Sequence, residues 1–447
     1  MRTKPGTPHT FVFRLYNRSM KLHRTALWIA SLIAMMVISA CTATPTASPQ
    51  PAISATPPPP TPTEQPANPA TPSTRTLTLW VAPTFAPNAE TPAGALLAAR
   101  LAEFESQHSG LTIEVRIKSR SGPGSLLDTL AAAQLAAPST LPDLITLDTF
   151  SLAQAAGYGL LVPLDDSVEI PSEPEWYPYV LSTLRFDSQT IGMPFASETN
   201  ILAFRTDLYP SAPRRIETLL AEGHSFQFPA GDPTAQFTLA QYLALAGTLT
   251  NSEGGAVIDV ESLTQVLSFY QAAVEANVLP LTVRQWTDTS QTWAEIQANR
   301  TASAVVPLSL FIQERDPERL NGAALPTGSE TGITLAQTWS WGVIASGTES
   351  DELRIALLTF LMGPDFLGPW TQALGLLPPN GASLAAWTES SDSALVSSLV
   401  TVTRPLPPRP VRTAVSAVLL EAAEAVLTNS LEPAAAAQAA ADALVSP

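Results

Sequence analysis

Few side chains in this sequence can do covalent or metal chemistry, and their positions say what that chemistry would be. Cys41 is the one cysteine of the chain. A lone thiol has neither a disulfide partner nor a second thiolate for a metal site, so its chemistry is set by its place directly after Ile38-Ser39-Ala40. Beyond it only His108 and His224 carry an imidazole, and Lys118 is the only lysine. That leaves no GxxxxGK phosphate loop, and Schiff-base chemistry would have to use Lys118. His108 stands where an amphipathic helix ends before Gly110, a position the helix dipole favours for histidine, so capping is its expected role. His224 lies in a glycine-containing turn. GxSxG, SxxK, HExxH, CxxC and EF-hand-like acidic patterns are all missing. The common routes to nucleophilic and metal catalysis therefore lack their parts, and neither a cofactor nor a metal is expected.

The N-terminus positions the thiol. Arg14, Arg18, Lys21 and Arg24 precede an apolar run from Ala26 to Ile38, with Met20 as a second possible start. Basic residues, a short apolar stretch and small residues before a cut make a secretory signal over 1–40. The run is shorter than the roughly 20 residues that a spanning helix needs. Ile38-Ser39-Ala40-Cys41 resembles a bacterial lipobox, in which the thiol receives a diacylglyceryl group and becomes the first mature residue. The competing reading is an ordinary signal peptide with an incidental cysteine just past the cut. Residues 42–75 are almost wholly Pro, Thr, Ala and Ser, with Pro57 to Pro60 consecutive, so 41–75 is expected to be a lipid-anchored, extended tether without a core.

Charge excludes a further class. The chain carries −16 overall, and the segment before Cys41 holds six Lys or Arg and no acid, leaving −22 from Cys41 onward. Nucleic-acid binding needs a concentrated basic surface and is not expected. From Thr76 to Pro447 the chain exceeds the usual length of one domain, so two lobes are expected.

The elements that would carry a site are legible in the periodicity. Leu77, Leu79 and Val81 alternate with Thr76, Thr78 and Trp80 as a strand, and Leu97, Leu101 and Phe104 mark a helix stopped by Gly110. Leu111, Ile113, Val115 and Ile117 alternate with polar residues as a second strand. Ser121 to Ser125 breaks the chain before a helix with Leu127, Leu130 and Ala131 on its apolar face, and Asp143 to Leu147 reads as a third, buried strand. This α/β succession predicts a parallel sheet covered on both faces. Ligands of such sheets sit beyond the strands' carboxyl ends, which nominates the loops Ser121 to Ser125 and Thr149 to Ser151. Near the C-terminus Val415, Val418, Leu419, Ala422 and Val426 trace one helix face, and Pro433 suits the first turn of a last helix.

Three segments carry a family resemblance. Ile191-Gly192-Met193-Pro194-Phe195, followed by Asn200 to Leu208, is similar to a Gly-Val-Pro-Phe hinge entry and a Tyr-Asn-Lys-Asp strand, here with Phe204-Arg205-Thr206-Asp207. Thr338 to Ser346, then Gly363-Pro364-Asp365, resembles a Gly-Trp-Ala-Ile-Ser strand and a Thr-Ser-Pro-Glu turn. Ala373 to Pro379 is similar to Thr-Gly-Phe-Leu-Pro-Ala. Together they resemble the bacterial extracellular solute-binding proteins of family 1, the sugar-type binding lipoproteins of ABC transporters that include maltodextrin-binding proteins, from about Thr76 to the C-terminus.

The resemblance implies a two-lobed periplasmic-binding-protein type II fold with hinge crossings. Lobe 1 would be 76–195 plus 340–384, and lobe 2 would be 198–338 plus 385–447. It implies capture of a small neutral solute, a mono- or oligosaccharide, for an ABC permease whose ATPase is a separate chain. The protein would be a monomer held by its lipid at the extracytoplasmic face of the membrane, periplasmic or cell-surface, and not an enzyme. A surface glycan-processing enzyme with paired carboxylates is the first alternative, and a transporter-independent sensor lipoprotein the second.

A sugar offers apolar C–H faces and a rim of hydroxyls, which call for aromatic planes and polar side chains. At places resembling the family's cleft loops stand Trp80, Ser121, Glu198, Asn200, Phe311, Trp339 and Trp341. Trp80 fits core as well as cleft. Trp339 and Trp341 share a strand face, so at best one reaches a ligand while the other packs beside it. Glu198 and Asn200 fit hinge polarity as well as ligand contact. Packing is expected for Trp176, Tyr177, Tyr179, Trp286, Trp293 and Trp370. After Ala302 to Val306 the family often places a Gly-Trp or Pro-Trp pair; here Pro307-Leu308-Ser309-Leu310-Phe311 stands instead, with Phe311 as the substitute or the pocket suited to a smaller solute.

Overall fold

The computed structural model describes residues 75–445 apart from 89, 330–331 and 346–350. Cys41, the signal stretch and the tether up to Thr74 lie outside the described residues, and Arg75 already belongs to the first strand. The chain begins with β1 (Arg75–Val81), α1 (Pro92–Gln107), β2 (Leu111–Ile117), α2 (Leu126–Ala136), β3 (Leu144–Asp148) and α3 (Thr149–Gly157). Then come α4 (Pro178–Leu181), β4 (Arg185–Phe186), β5 (Gln189–Thr190) and the long β6 (Met193–Arg205). The middle holds α5 (Ile216–Glu222), β7 (Phe226–Gln227), α6 (Gln236–Ala244), α7 (Val260–Glu275), α8 (Thr289–Gln297), β8 (Ser303–Pro307), α9 (Leu308–Glu314), β9 (Leu320–Ala323) and β10 (Thr334–Val343). The chain closes with α10 (Asp351–Leu361), α11 (Pro364–Leu374), α12 (Gly381–Ala385), α13 (Ser393–Val402), β11 (Thr403–Pro405), α14 (Arg409–Leu427) and α15 (Pro433–Val445).

Local chemistry accounts for the first βαβαβ unit. Thr91 caps α1 by accepting from the Gly94 amide at 3.0 Å, and Pro92 occupies the first turn where no N–H is needed. A Cβ on Gly94 would come within 2.3 Å of the Asn88 carbonyl oxygen, so only glycine lets the helix start so close to the preceding loop. His108 ends α1 as expected, its Nδ1 2.9 Å from the Phe104 carbonyl oxygen and its ring stacked on Phe104. β1 pairs in parallel with β2 on one side and β3 on the other. The carboxyl ends of all three strands therefore point to one rim.

The sheet continues in the order β2-β1-β3-β10-β6-β8-β7, with β11 on β10 and β9 on β6. Two strands are shared between the halves. β6 pairs through Met193–Thr199 with β10, then through Asn200–Phe204 with β8 and through Leu202–Arg205 with β9. β10 pairs through Thr334–Ala336 with β11 and through Trp339–Val343 with β3. These crossings, antiparallel except for β10 with β11, join two α/β halves in the two-lobed arrangement.

One core holds Leu77, Leu97, Leu144, Phe195, Trp341 and Trp370. A second holds Leu202, Phe228, Tyr270, Leu335 and Leu419, and a third holds Ile201, Val306, Leu377, Trp387 and Leu399. The last two lie on opposite faces of the same strands. Leu202 and Phe204 of β6 face one and Ile201 and Ala203 the other, which is the two-residue alternation of a sheet covered on both sides. Tyr179 and Val180 of α4 pack into the third core, with Leu377 and Trp387. α14 buries Val415, Val418, Leu419, Ala422 and Val426, the face its period predicts, and α15 begins at Pro433. Among the described residues no helix is long and apolar enough to cross a membrane.

Candidate ligand cleft

The rim at the carboxyl ends of β1, β2 and β3 opens on a cavity of about 610 Å3, within the range of small-ligand sites. Its first wall is the loop after β2. Gly122 and Gly124 take φ of 80° and 79°, a left-handed backbone that favours glycine, and so return the chain to Ser125. The Ser125 hydroxyl caps α2 by accepting from the Asp128 amide. Arg120, Ser121 and Gly122 of this loop line the cavity, with Leu127 and Asp128.

The second wall is the start of α3. Asp148 Oδ1 accepts from the amides of Phe150 and Ser151 at 3.0 and 3.1 Å, and its Oδ2 takes the Ser151 hydroxyl. That buried carboxylate is thereby committed to the helix N-terminus, where negative charge is favourable. Phe150, Ser151 and Gln154 project from the same turns into the cavity.

The third wall comes from the far end of the chain. Pairing of β11 with the start of β10 sets Pro405 opposite Ala336, and the Leu406 amide donates to the Ala336 carbonyl at 3.2 Å. Pro407 and Pro408 cannot extend the ladder, and α14 starts at Arg409-Pro410. Arg409 and Arg412 are thereby delivered beside Gln337 of β10, and all three line the cavity. Arg409 donates to Gln154 at 3.3 Å, Arg412 lies 4.0 Å over the Phe150 ring, and Arg120 donates to Gln337. Burial pushes the Arg412 guanidinium below its ordinary value; Asp148 opposes this, Arg409 adds to it, Asp232 opposes it and Arg120 adds to it.

Of the residues nominated from sequence, Ser121 lines the cavity directly. Trp339 lies just beneath it, 4% exposed, with Arg120 at 5.2 Å over its ring. Trp80, Trp341 and Phe311 are core residues rather than cleft linings, at 2%, 0% and 0% exposure. Trp341 packs on Phe195 at 5.4 Å and Phe311 on Trp293 at 6.3 Å; Lys118 lies 5.1 Å over Trp80. In a sheet covered on both faces the rings of Trp80 and Trp341 are drawn into the core their strand positions serve, and Phe311 lies on the buried face of α9, in the third core. Trp293 and Trp370 are likewise buried, as expected.

Glu198 and Asn200 occupy the crossing on β6. Asn200 Oδ1 accepts from Thr289 at 3.3 Å. Glu198 accepts from the Ser309 hydroxyl, from the Ser309 amide at 3.3 Å and from the Thr199 amide at 3.1 Å. Burial nevertheless raises its pKa to about 7, the hydrogen bonds and Arg120 only partly offsetting the loss of water. Glu198 stands opposite Gln337 in the strand register, so Arg120, Gln337 and Glu198 form a row from cleft to hinge.

The loops nominated by the sheet rule, Ser121 to Ser125 and Thr149 to Ser151, both border the cavity. The arginines and Gln154 and Gln337 were missed. Two basic residues at the start of α14, against its dipole, are the signal that was there to find. Among the described residues no group of His, Cys, Asp or Glu could hold a metal ion.

Comparison with known proteins agrees with this fold. The model of the family described as bacterial extracellular solute-binding protein matches residues 99–395. By sequence no curated protein matches the chain. Among solved structures, the cyclic alpha-maltosyl-1,6-maltose binding protein from Arthrobacter globiformis superposes with a TM-score of 0.68 at 17% identity, covering 83% of this chain and 98% of that one. The sugar-binding protein MalE of Xanthomonas citri gives 0.67 at 18% identity over 83% and 98%. The GacH receptor of Streptomyces glaucescens, solved unliganded and with acarbose, gives 0.63 at 18% over 82% and 97%.

Proposed function

We propose that this chain, which belongs to the bacterial extracellular solute-binding proteins, captures a mono- or oligosaccharide in the cleft just described and delivers it to an ABC importer. As a member of an extracellular family it acts outside the cytoplasm, and the family's members are binding proteins. The observation that carries the reading is that one cavity is lined from both halves: by Ser121 and Gln154 of the first, and by Arg409 and Arg412 of the second. A solute held there touches both, so its binding free energy favours their approach.

The lining suits a carbohydrate. Serine, glutamine, aspartate and arginine give donors and acceptors in pairs, as hydroxyl rims require, and closure would exclude water and strengthen those bonds. The lobes are assigned as 76–195 plus 340–384 and 198–338 plus 385–447, with Glu198 and Asn200 at the crossing, Ser121 as a ligand contact and Trp339 as the support beneath Arg120. The protein works without catalysis, as a monomer tethered through acylated Cys41. The structural neighbours named for maltose-type sugars, and another bound with alpha-D-tagatose, support the carbohydrate class. Isothermal titration of the purified full chain against mono- and oligosaccharide panels, with peptides and amines alongside, tests the reading. Saturable binding of at least one carbohydrate is expected, and binding of a peptide or amine with none of any carbohydrate would overturn it.

A further inference from the structure

The cleft's charge runs against that of the chain around it. From Cys41 onward the chain carries −22, yet Arg120, Arg409 and Arg412 converge on one cavity in which Asp128 and Asp148 are the acids. Asp148 is committed to the α3 amides and the Ser151 hydroxyl. Elsewhere arginines such as Arg100, Arg284 and Arg315 pair with carboxylates.

The three cleft arginines do not pair with any carboxylate of the described residues. They are held by groups that fix position and leave the charge in place. Gln337 accepts from Arg120, Gln154 accepts from Arg409 at 3.3 Å, and the Phe150 ring lies 4.0 Å beneath Arg412. A glutamine oxygen orients a guanidinium without neutralising it. The remaining N–H donors suit an oxyanion, which guanidinium groups bind in bidentate fashion. The amino-terminal ends of α2 and α14 border the same space and add positive potential. Arg412 is half-buried: burial disfavours its charge most, Asp148 and Asp232 oppose this, and Arg409 and Arg120 add to it, so its guanidinium stands partly stripped of water beside two other cations.

We infer that the captured sugar carries an acidic group, a carboxylate, sulfate or phosphate, received by Arg120, Arg409 and Arg412. This rests on the sugar-capture reading and names the substrate class of the same site. The sequence motifs led to a neutral solute; the charges that the fold gathers here favour an acidic one.

Titrations of the full chain with matched pairs test this: glucose against glucuronate, glucose 6-sulfate and glucose 6-phosphate, and galactose against galacturonate. The acidic arms separate the three oxyanions, and inorganic sulfate and phosphate serve as controls. At least one acidic sugar is expected to bind about tenfold or more tightly than its neutral counterpart, with affinity falling as salt rises. Arg412→Gln should abolish most of that preference, and the more exposed Arg120→Gln and Arg409→Gln should reduce it with the melting temperature unchanged. Arg412→Lys should retain part. Neutral sugars binding as well as acidic ones, with the three glutamine variants leaving the ratio unchanged, would overturn this inference and leave sugar capture standing. Inorganic anions binding as tightly as any acidic sugar would overturn it too. Binding of no carbohydrate of either kind would overturn both readings.

Discussion

Glu198 lends itself to a quantitative test because its environment is defined on every side. Its carboxyl sits on the crossing strand β6, accepts from Ser309 and Thr199, and has its pKa raised by burial from 4.5 to about 7. The folded chain therefore holds the proton more tightly than the unfolded chain does. The stabilisation is complete below the unfolded value and is lost as pH rises through the folded one. A shift of that size amounts to about 3 kcal/mol, most of which falls between about pH 5 and about pH 8. Glu198→Gln substitutes an uncharged amide that can still accept from Ser309, so its stability should lack this component. Urea unfolding of both proteins across that range gives the answer. The stability of the wild type relative to the variant should fall by roughly 2–3 kcal/mol from the acid to the alkaline end. A difference that does not change with pH, or one that grows toward alkaline pH, would refute the argument that burial dominates over Ser309 and Arg120 at this carboxyl.

Two further substitutions probe the parts that position the cleft. Trp341→Ala removes a wholly buried indole from the aromatic group with Phe195 and Trp370, and should cost about 3–5 kcal/mol in denaturant unfolding. Gly94→Ala drives a methyl into the Asn88 carbonyl and should destabilise by about 1–3 kcal/mol, read as a lowered melting temperature; an unchanged melting temperature would mean that the loop before α1 gives way freely.

What was legible in the sequence was what depends on near neighbours. The alternation from Leu111 to Ile117, the end of α1 at His108, and the apolar face from Val415 to Val426 are properties of a few consecutive residues. The position of the candidate cavity followed from topology, since three parallel strands place their carboxyl ends together and the segments there contain Ser121 and Ser151. The aromatic residues were harder to assign because stacking on a sugar and packing in a core ask the same thing of a tryptophan. Burial, which sequence does not report, decided it for Trp80, Trp341 and Phe311. Arg409 and Arg412 escaped because they reach the cleft only through the pairing of β11 with β10, a contact between segments remote in sequence. Gln154 and Gln337 escaped for the same reason: each matters through the arginine it orients.

The most direct test of capture between two halves is a crystal structure of the full chain with the tightest-binding sugar from the titrations. The ligand is expected in the cavity, in contact with Ser121 or Gln154 on one side and with Arg412 on the other. A ligand bound outside this cavity, or touching one half alone, would contradict the account.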